Sequence, residues 1–159
     1  MLELKLLTLI IVANGAPIIA RKLLPDLFGC PLDTGWRLPD NQPLFGSSKT
    51  VRGVVAALLI TPLVGLLFSV PLPVSLMMAF FAMTGDLLSS FIKRRLGKKE
   101  GAMMLGLDQI PEALLPLLAV RSMLDLSLVS IVIIVSAFFV LELLLSRILY
   151  KLKIRKHPH

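Results

Sequence analysis

Residues 72–95 read LPVSLMMAFFAMTGDLLSSFIKRR, a long apolar run that ends in an acid, two serines and a basic cluster. A helix that crosses the hydrocarbon core of a bilayer needs about 20 mainly apolar residues, and residues 72–92 supply them. An ionisable side chain inside such a run is costly and usually functional, so Asp86 marks a candidate site. The stretch therefore predicts a transmembrane helix with a polar site near its basic end.

The rest of the chain has the same character. Of its 159 residues 56% are hydrophobic, and the mean hydropathy is +0.86, which is typical of an integral membrane protein. The other apolar segments of spanning or nearly spanning length are 2–20, 54–70, 110–124 and 128–149. We therefore predict an all-α, single transmembrane domain over residues 1–159, with about five helices. Its polar parts would be two loops, at about 21–52 and 93–109, and a basic tail at 150–159.

The positive charges predict the orientation of this bundle. Fifteen of the 17 Lys and Arg residues lie in the two loops and near the C-terminus, and only Lys5 and Arg121 lie elsewhere. By the positive-inside rule the loops and the C-terminus face the cytoplasm and the N-terminus lies outside. The net charge of +7 is thus explained by membrane topology, and we expect no nucleic-acid partner.

Cysteine and histidine are too scarce to support several kinds of chemistry. Cys30 is the only cysteine, and the two histidines, His157 and His159, stand at the very end of the sequence. These counts exclude an internal disulfide, a multi-cysteine metal site and a histidine-rich metal site, and they argue against a histidine base. Any catalysis must use carboxylates, Lys, Arg, hydroxyls and backbone groups.

The first loop contains a candidate anion site. Residues 43–53 read PLFGSSKTVRG and lead into the second apolar segment. Backbone N–H groups at a helix N-terminus bind anions, and Lys49 and Arg52 would strengthen such a site. The stretch is not a P-loop, because Ser48 and Pro43 stand where that motif needs glycine. The alternative is that Lys49 and Arg52 only anchor the helix end at the membrane surface.

The second candidate site lies around Asp86. Ser89, Ser90 and Lys93 follow Asp86 at spacings of three, four and seven, so on a helix they share one face. The alternative is an ion pair of Asp86 with Lys93 or Arg94 that only neutralises a buried charge.

Three further polar residues fit a cavity at this end of the bundle. Asp108 is a second metal candidate, with the alternative of a helix N-cap, and Glu112 follows one turn later. Asn14, with Gly15 and Pro17, indicates an opened turn in the first helix, which membranes tolerate beside protein or a water-filled cavity.

Together these motifs resemble the CDP-archaeol synthase family, a branch of the membrane CTP-dependent lipid cytidylyltransferases that includes phosphatidate cytidylyltransferase. The stretches that carry the resemblance are VANGAP at 12–17, DTG at 33–35, PLFGSSKTVRG at 43–53, GDLLSSFIKRR at 85–95, and Asp108-Gln109. The chain departs from the family pattern at Lys99-Glu100, where a Lys-Asp pair is expected. It departs again at Glu112, which follows Asp108 at a changed spacing.

The resemblance implies that a lipid phosphate monoester and CTP react to give a CDP-lipid and pyrophosphate. It implies Mg²⁺ held by Asp86 and Asp108, and catalytic roles for those two residues with Lys49 and Lys93. The residues it implies in substrate binding are Asn14, Asp33, Gly46, Ser48, Lys49, Thr50, Arg52, Gly53, Ser90, Lys93, Arg94 and Arg95. Asn14 would admit the lipid headgroup, and the others would contact CTP.

Two other functions compete with this interpretation. A small ion-coupled transporter with Asp86 as its ion site would place polar residues across the bilayer midplane, whereas here they gather at one end of the segments. A non-catalytic scaffold would leave the two polar loops unexplained. The sequence leaves open which lipid phosphate is used and whether the chain forms a homodimer.

Overall fold

The computed structural model describes residues 1–25 and 27–151, with side chains described as far as residue 146. Within these residues the chain forms five helices and no strand, which confirms the all-α prediction. The helices are α1 (Leu2–Leu23), α2 (Val51–Leu67), α3 (Leu72–Arg95), α4 (Gln109–Val120) and α5 (Leu128–Lys151). Residues 152–159, most of the predicted basic tail, lie outside the described part of the chain.

Three of the five helices are long and apolar enough to cross a membrane, namely α1, α3 and α5. At about 1.5 Å per residue they measure about 33–36 Å, whereas α2 is about 25 Å and α4 about 18 Å long. The fourth predicted segment, 110–124, is helical only as far as Val120. The chain then turns, with Asp125 in the left-handed region. Apolar side chains on the outer surface, such as Leu63 and Val132, are mostly exposed, as in an integral membrane protein.

The apolar core fills the end of the bundle away from the two loops. Its members come from α1, α3, α4 and α5 and are almost completely buried. They include Leu6, Leu9, Ile10, Val74, Met78, Leu117, Val120, Ile134 and Phe138. Near the loops the buried apolar residues are few and mainly small, such as Ala16 and Ala57. This division leaves room for charged side chains at the loop end.

Two glycines let the helices approach at that end. A Cβ at Gly85 of α3 would stand 2.8 Å from the backbone nitrogen of Glu112 in α4. A Cβ at Gly53 of α2 would stand 3.0 Å from the Pro17 Cβ of α1. Real Cβ atoms almost never approach as closely as at Gly85, and rarely as closely as at Gly53, so larger residues would push these helices apart. The approach at Gly85 places Glu112 beside Asp86.

The predicted opened turn in the first helix is wrong. Helix α1 continues through Asn14, Gly15 and Pro17 without a break. The Asn14 amide donates a hydrogen bond to the Ile10 carbonyl at 3.1 Å, one turn earlier in the same helix. Asn14 therefore satisfies its own amide within the helix, and α1 has no opened turn at this position.

Candidate active site

Asp33 organises the first loop from the inside. Its carboxylate accepts hydrogen bonds from the backbone N–H groups of Gly35 at 3.1 Å, Phe45 at 3.0 Å and Gly46 at 3.0 Å. Burial on its own would raise the pKa of Asp33, but these donors outweigh it and hold that pKa below its usual value. Asp33 was predicted to bind nucleotide. The structure instead shows its oxygens occupied within the loop.

Replacing Asp33 by Ala should loosen this loop, because three backbone donors lose a charged acceptor. We expect a loss of about 2–3 kcal/mol in the free energy of local opening, or about 30- to 150-fold faster limited proteolysis of the loop. Ser48→Ala is the control, since it truncates an exposed side chain of the same loop and should change cleavage little. Equal cleavage of both variants would contradict the role of Asp33.

A low-pH measurement tests the same carboxylate. Because the pKa of Asp33 is lowered in the folded state, its contribution is present at neutral pH and is lost as the pH falls through that lowered value. Wild-type loop protection should therefore decrease on acidification, and in Asp33→Ala this decrease should be smaller.

The end of the loop is fastened to both helices that it connects. Leu32 N–H donates to the Lys49 carbonyl at 2.8 Å. The Arg52 guanidinium donates to the carbonyls of Leu24, Pro25 and Leu27 just after α1. Arg52 thereby satisfies carbonyls at the end of α1, a common use of arginine, and it also lines a cavity of about 260 Å³ together with Ser47 and Thr50. Thr50 caps α2 by accepting a hydrogen bond from Gly53 N–H at 3.3 Å.

Lys49 reaches from this loop into a cluster of carboxylates. Its ammonium forms an ion pair with Asp86 of α3, and their side chains are only 21% and 22% exposed. Glu112 of α4 is buried and lies close enough to Asp86 for the two carboxyl groups to interact. Burial alone would lower the pKa of Lys49, but Asp86 and Glu112 raise it above its usual value, so the ammonium stays charged. Sequence reasoning left the role of Glu112 open; the close crossing at Gly85 now places it in the cluster.

A second ion pair lies next to the first. Lys93 and Asp108 are 2.7 Å apart and both are largely buried. Lys93 also donates to the Ala102 carbonyl at 3.1 Å, and the other Asp108 oxygen accepts from Met104 N–H at 3.0 Å. The charges of Asp108 and Lys93 act on Lys49 and Asp86, respectively. These residues therefore form one charged cluster where the two loops meet.

These pairs bear on two alternatives that the sequence left open. Asp86 does not pair along its own helix with Lys93 or Arg94; it pairs with Lys49, 37 positions earlier. Asp108 occupies the N-cap position of α4, but its side chain makes no capping hydrogen bond. Both carboxylates instead hold lysines at the junction of the loops.

The two arginines of the basic cluster hold the loops in place. Arg94 is buried and donates to the Lys99 carbonyl at 2.9 Å, which folds the second loop back onto α3. Arg95 binds Asp40 at 2.6 Å and the Pro43 carbonyl at 2.6 Å in the first loop. The structure therefore places both guanidinium groups on protein partners in the two loops.

The remaining predicted residues differ in their burial and in their contacts. Glu100 of the second loop accepts hydrogen bonds from the Ser47 N–H at 3.1 Å and the Ser47 hydroxyl at 2.5 Å. The Ser47 hydroxyl is the main cause of a lowered pKa for Glu100. A Cβ at Gly46 would meet this carboxylate at 2.8 Å. Ser48 is exposed, and Ser90 is buried on α3.

The donor chemistry of the cluster fits a magnesium ion. Asp86, Asp108 and Glu112 carry carboxylate oxygens, the ligand type that Mg²⁺ prefers, and neighbouring carboxylates are stabilised by a proton or a cation between them. Among the described residues, no group of three or more Asp, Glu, His or Cys side chains could enclose a metal. An ion here would complete its coordination with water and substrate phosphates, which is the usual pattern for Mg²⁺.

Comparison with known proteins identifies relatives along the whole chain. A family model described as CarS-like CDP-archaeol synthase matches residues 4–159. A CDP-archaeol synthase from Sulfurisphaera tokodaii is 35% identical over 155 residues, which cover 93% of this chain and 89% of the relative. The CDP-archaeol synthase of Saccharolobus solfataricus is 40% identical over 105 residues, or 62% of this chain and 59% of that protein.

A solved structure supports the same grouping. It belongs to an intramembrane enzyme for archaeal membrane lipid biosynthesis and has a TM-score of 0.75 with 30% sequence identity. The alignment covers 87% of this chain and 89% of that one. The similarity therefore extends to the arrangement of the helices.

Proposed function

The chain belongs to the CDP-archaeol synthase family, and on that premise we propose that it transfers the cytidylyl group of CTP to an archaetidic-acid-like lipid phosphate. Members of the family are CTP-dependent lipid cytidylyltransferases, so the chain is a nucleotidyltransferase, and its apolar helices make it an integral membrane protein. The proposed products are a CDP-lipid and pyrophosphate.

The observation that supports this reaction is the pair of lysine–carboxylate contacts where the loops meet. Lys49–Asp86 and Lys93–Asp108 bring two ammonium groups and three carboxylates together at the membrane-loop boundary. Such a site suits a triphosphate, because ammonium groups neutralise phosphate charge and carboxylates hold its cation. No histidine or cysteine is needed.

The reaction balances without a protein base. A phosphate oxygen of the lipid attacks the α-phosphorus of CTP, and the bond from that phosphorus to the oxygen bridging to the β-phosphate breaks. Pyrophosphate leaves with the bond electrons. The attacking phosphate is already largely ionised near neutral pH, since its second pKa is about 6. Positioning and charge neutralisation are therefore the main tasks of the protein.

Each charged residue has a separate task in this scheme. Asp86 and Asp108 would hold Mg²⁺, with Glu112 beside Asp86, and the ion would supply charge neutralisation of the phosphates. Lys49 and Lys93 would exchange a carboxylate partner for phosphate oxygens when CTP binds. Arg52, Arg94 and Arg95 would act indirectly, by holding the two loops that carry these lysines.

A product assay tests the proposal directly. Purified protein in lipid nanodiscs, given labelled CTP, Mg²⁺ and a long-chain dialkylglycerol phosphate, should form labelled CDP-lipid and release one pyrophosphate per product. A transporter with Asp86 as its ion site, or a scaffold, would form no product. The absence of labelled lipid in protein that retains its fold would therefore contradict the proposed function.

We also propose that the active site faces the cytoplasm, because the basic loops lie at this end of the bundle. Cys30 is exposed, so labelling requires a Cys30→Ser background with a new cysteine at the exposed position 98. In intact cells this cysteine should resist a membrane-impermeant maleimide and react only after permeabilisation. Complete labelling without permeabilisation would show that position 98 faces the outside, the opposite of the proposed orientation.

A further inference from the structure

The chain exposes a group of large apolar side chains just where α1 ends. They are between 47% and 71% exposed and belong to Leu23, Leu24, Leu27 and Phe28. We call these four residues the apolar segment. Helix α1 is long and apolar enough to cross a membrane, so the segment begins where the chain would leave the hydrocarbon core. Grouped exposed apolar side chains indicate an interaction surface.

The backbone carbonyls of this stretch are satisfied by one buried side chain. The guanidinium of Arg52, a residue that is only 8% exposed, donates to three of them, those of Leu24, Pro25 and Leu27. The backbone N–H of Arg52 donates to the Phe28 carbonyl at 3.1 Å. A loop in water does not need such a donor, because water satisfies exposed carbonyls. A loop beside lipid does need it, because water is scarce there.

The stretch has a polar inner side and an apolar outer side. The cavity of about 260 Å³ on the inner side has six lining residues, namely Arg21, Pro25, Gly29, Ser47, Thr50 and Arg52. The apolar segment contributes nothing to this lining and faces outward. Phe28 has a left-handed backbone, with a φ of 49°, which a residue with a side chain adopts only where its surroundings hold it there. The exposure of the apolar side chains is therefore built into the loop.

Positive charges border the apolar segment. Arg21 and Lys22 lie in the last turn of α1 and are exposed. Long cationic side chains at the end of an apolar helix extend toward the phosphates of lipid headgroups. Asp26, the one acidic residue of this stretch in the sequence, lies outside the described residues. A spanning helix, then cations, then outward apolar side chains form the order expected of a segment at a membrane surface.

We propose that the apolar segment lies in the headgroup region of the bilayer and attaches the first loop to the membrane surface. Its partner is therefore a phospholipid surface. Removing the four apolar side chains from water favours this position, and Arg52 removes the cost of bringing their carbonyls into poorly hydrated surroundings. The inference goes beyond the proposed reaction and does not depend on it.

The attachment extends to the candidate active site through backbone hydrogen bonds. The Cys30 carbonyl accepts from Val51 N–H at 3.1 Å, and Leu32 N–H donates to the Lys49 carbonyl at 2.8 Å. The chain that follows the apolar segment is thus hydrogen-bonded to the chain that carries Lys49. A lipid surface that holds the segment also helps to hold Lys49 opposite Asp86.

A single tryptophan at position 28 measures the depth of the segment. Trp36 is the only tryptophan of the chain, so Phe28→Trp in a Trp36→Phe background reports on this position alone. The full-length protein is placed in nanodiscs whose lipids carry bromine, a quencher of tryptophan fluorescence, near the headgroup end or the methyl end of their acyl chains. Bromine at the headgroup end should quench at least about twofold more, because surface segments lie about 5–10 Å into the boundary between headgroups and chains.

Two positions in the same background are the matched controls. Leu63→Trp lies on the outer face of α2, about 18 Å along the helix from Val51, and bromine at the methyl end should quench it best. Lys98→Trp lies at an exposed position of the second loop and should respond mainly to acrylamide, a neutral quencher dissolved in the water. Acrylamide should quench Phe28→Trp at least about threefold less than Lys98→Trp.

Arg52→Met tests why the segment can lie beside lipid. Without the guanidinium three carbonyls need water, so acrylamide should quench the tryptophan at position 28 about twofold more. Arg37→Met is the matched control, because the Arg37 guanidinium donates to a single carbonyl, that of Asn41, in an exposed part of the same loop.

The first measurement decides the proposal whether or not Arg52→Met folds. Equal acrylamide quenching of Phe28→Trp and Lys98→Trp would overturn it, because the segment would then lie in water. Protection from both acrylamide and brominated lipid would also overturn it and would place the segment against a second copy of the chain. Unchanged acrylamide quenching in folded Arg52→Met would overturn the role given to Arg52. These measurements need no CTP, so they stand or fall separately from the assay of CDP-lipid formation.

Discussion

Replacing Asp86 by Asn should reduce CTP-dependent turnover about 1,000-fold or more. The change is nearly isosteric, but it removes the negative charge that faces Lys49 and, in the proposed reaction, a ligand of Mg²⁺. Losing several kcal/mol of charge stabilisation, about 4 kcal/mol here, corresponds to about three orders of magnitude in rate. The measurement is labelled CDP-lipid formation as a function of Mg²⁺ concentration.

Asp86→Asn also leaves the largely buried ammonium of Lys49 without its charged partner. Removing one member of a buried ion pair destabilises a protein more than removing both. The double variant Lys49→Met/Asp86→Asn should therefore recover thermal stability relative to Asp86→Asn, and it should remain inactive. Recovery of turnover together with stability would show that Asp86 only neutralises Lys49. Normal turnover in Asp86→Asn would remove this residue from the proposed metal site altogether.

The helices were predictable because their signals are local. Apolar run length, Pro71 and Pro73 at the start of α3, and basic residues at its end fix that element without reference to the rest of the chain. The length of the fourth helix was overestimated, because the apolar composition continues past Val120 although the backbone turns there. Hydropathy records composition, and a turn of apolar residues at the membrane edge has the same composition as a helix.

The contacts within the site were less predictable, because they join distant segments. Helical spacing grouped Asp86 with Ser89, Ser90 and Lys93 on one face of α3. It could not show that Asp86 pairs with Lys49 from the first loop. The same limit applies to Arg95. A cationic side chain beside a membrane helix has one sequence signature whether it binds a nucleotide, a lipid surface or a neighbouring loop, and only the contact with Asp40 distinguishes them.

At Asn14 a local sequence motif led to a wrong prediction. Asn, Gly and Pro close together usually indicate a turn in a soluble protein. In α1 the Asn14 side chain instead returns a hydrogen bond to its own helix, and Pro17 packs against Gly53 of α2. A helix surrounded by lipid retains its backbone hydrogen bonds wherever it can, because an unsatisfied group costs several kcal/mol there. The local motif thus described helix packing and not an opening.

Lys93→Met is the second variant with a large expected effect, and it separates catalysis from topology. In the proposed reaction Lys93 moves from Asp108 to a phosphate oxygen of CTP, so its loss should lower kcat/KM for CTP about 10- to 100-fold. This range corresponds to about 1.5–3 kcal/mol for a charge-assisted contact. The matched control is Lys98→Met, which removes the same charge from an exposed position of the same loop. If the lysines serve only the positive-inside rule, both variants should insert and react alike. If Lys93 contacts the triphosphate, only Lys93→Met should lose activity, and maleimide accessibility should show the same orientation for both.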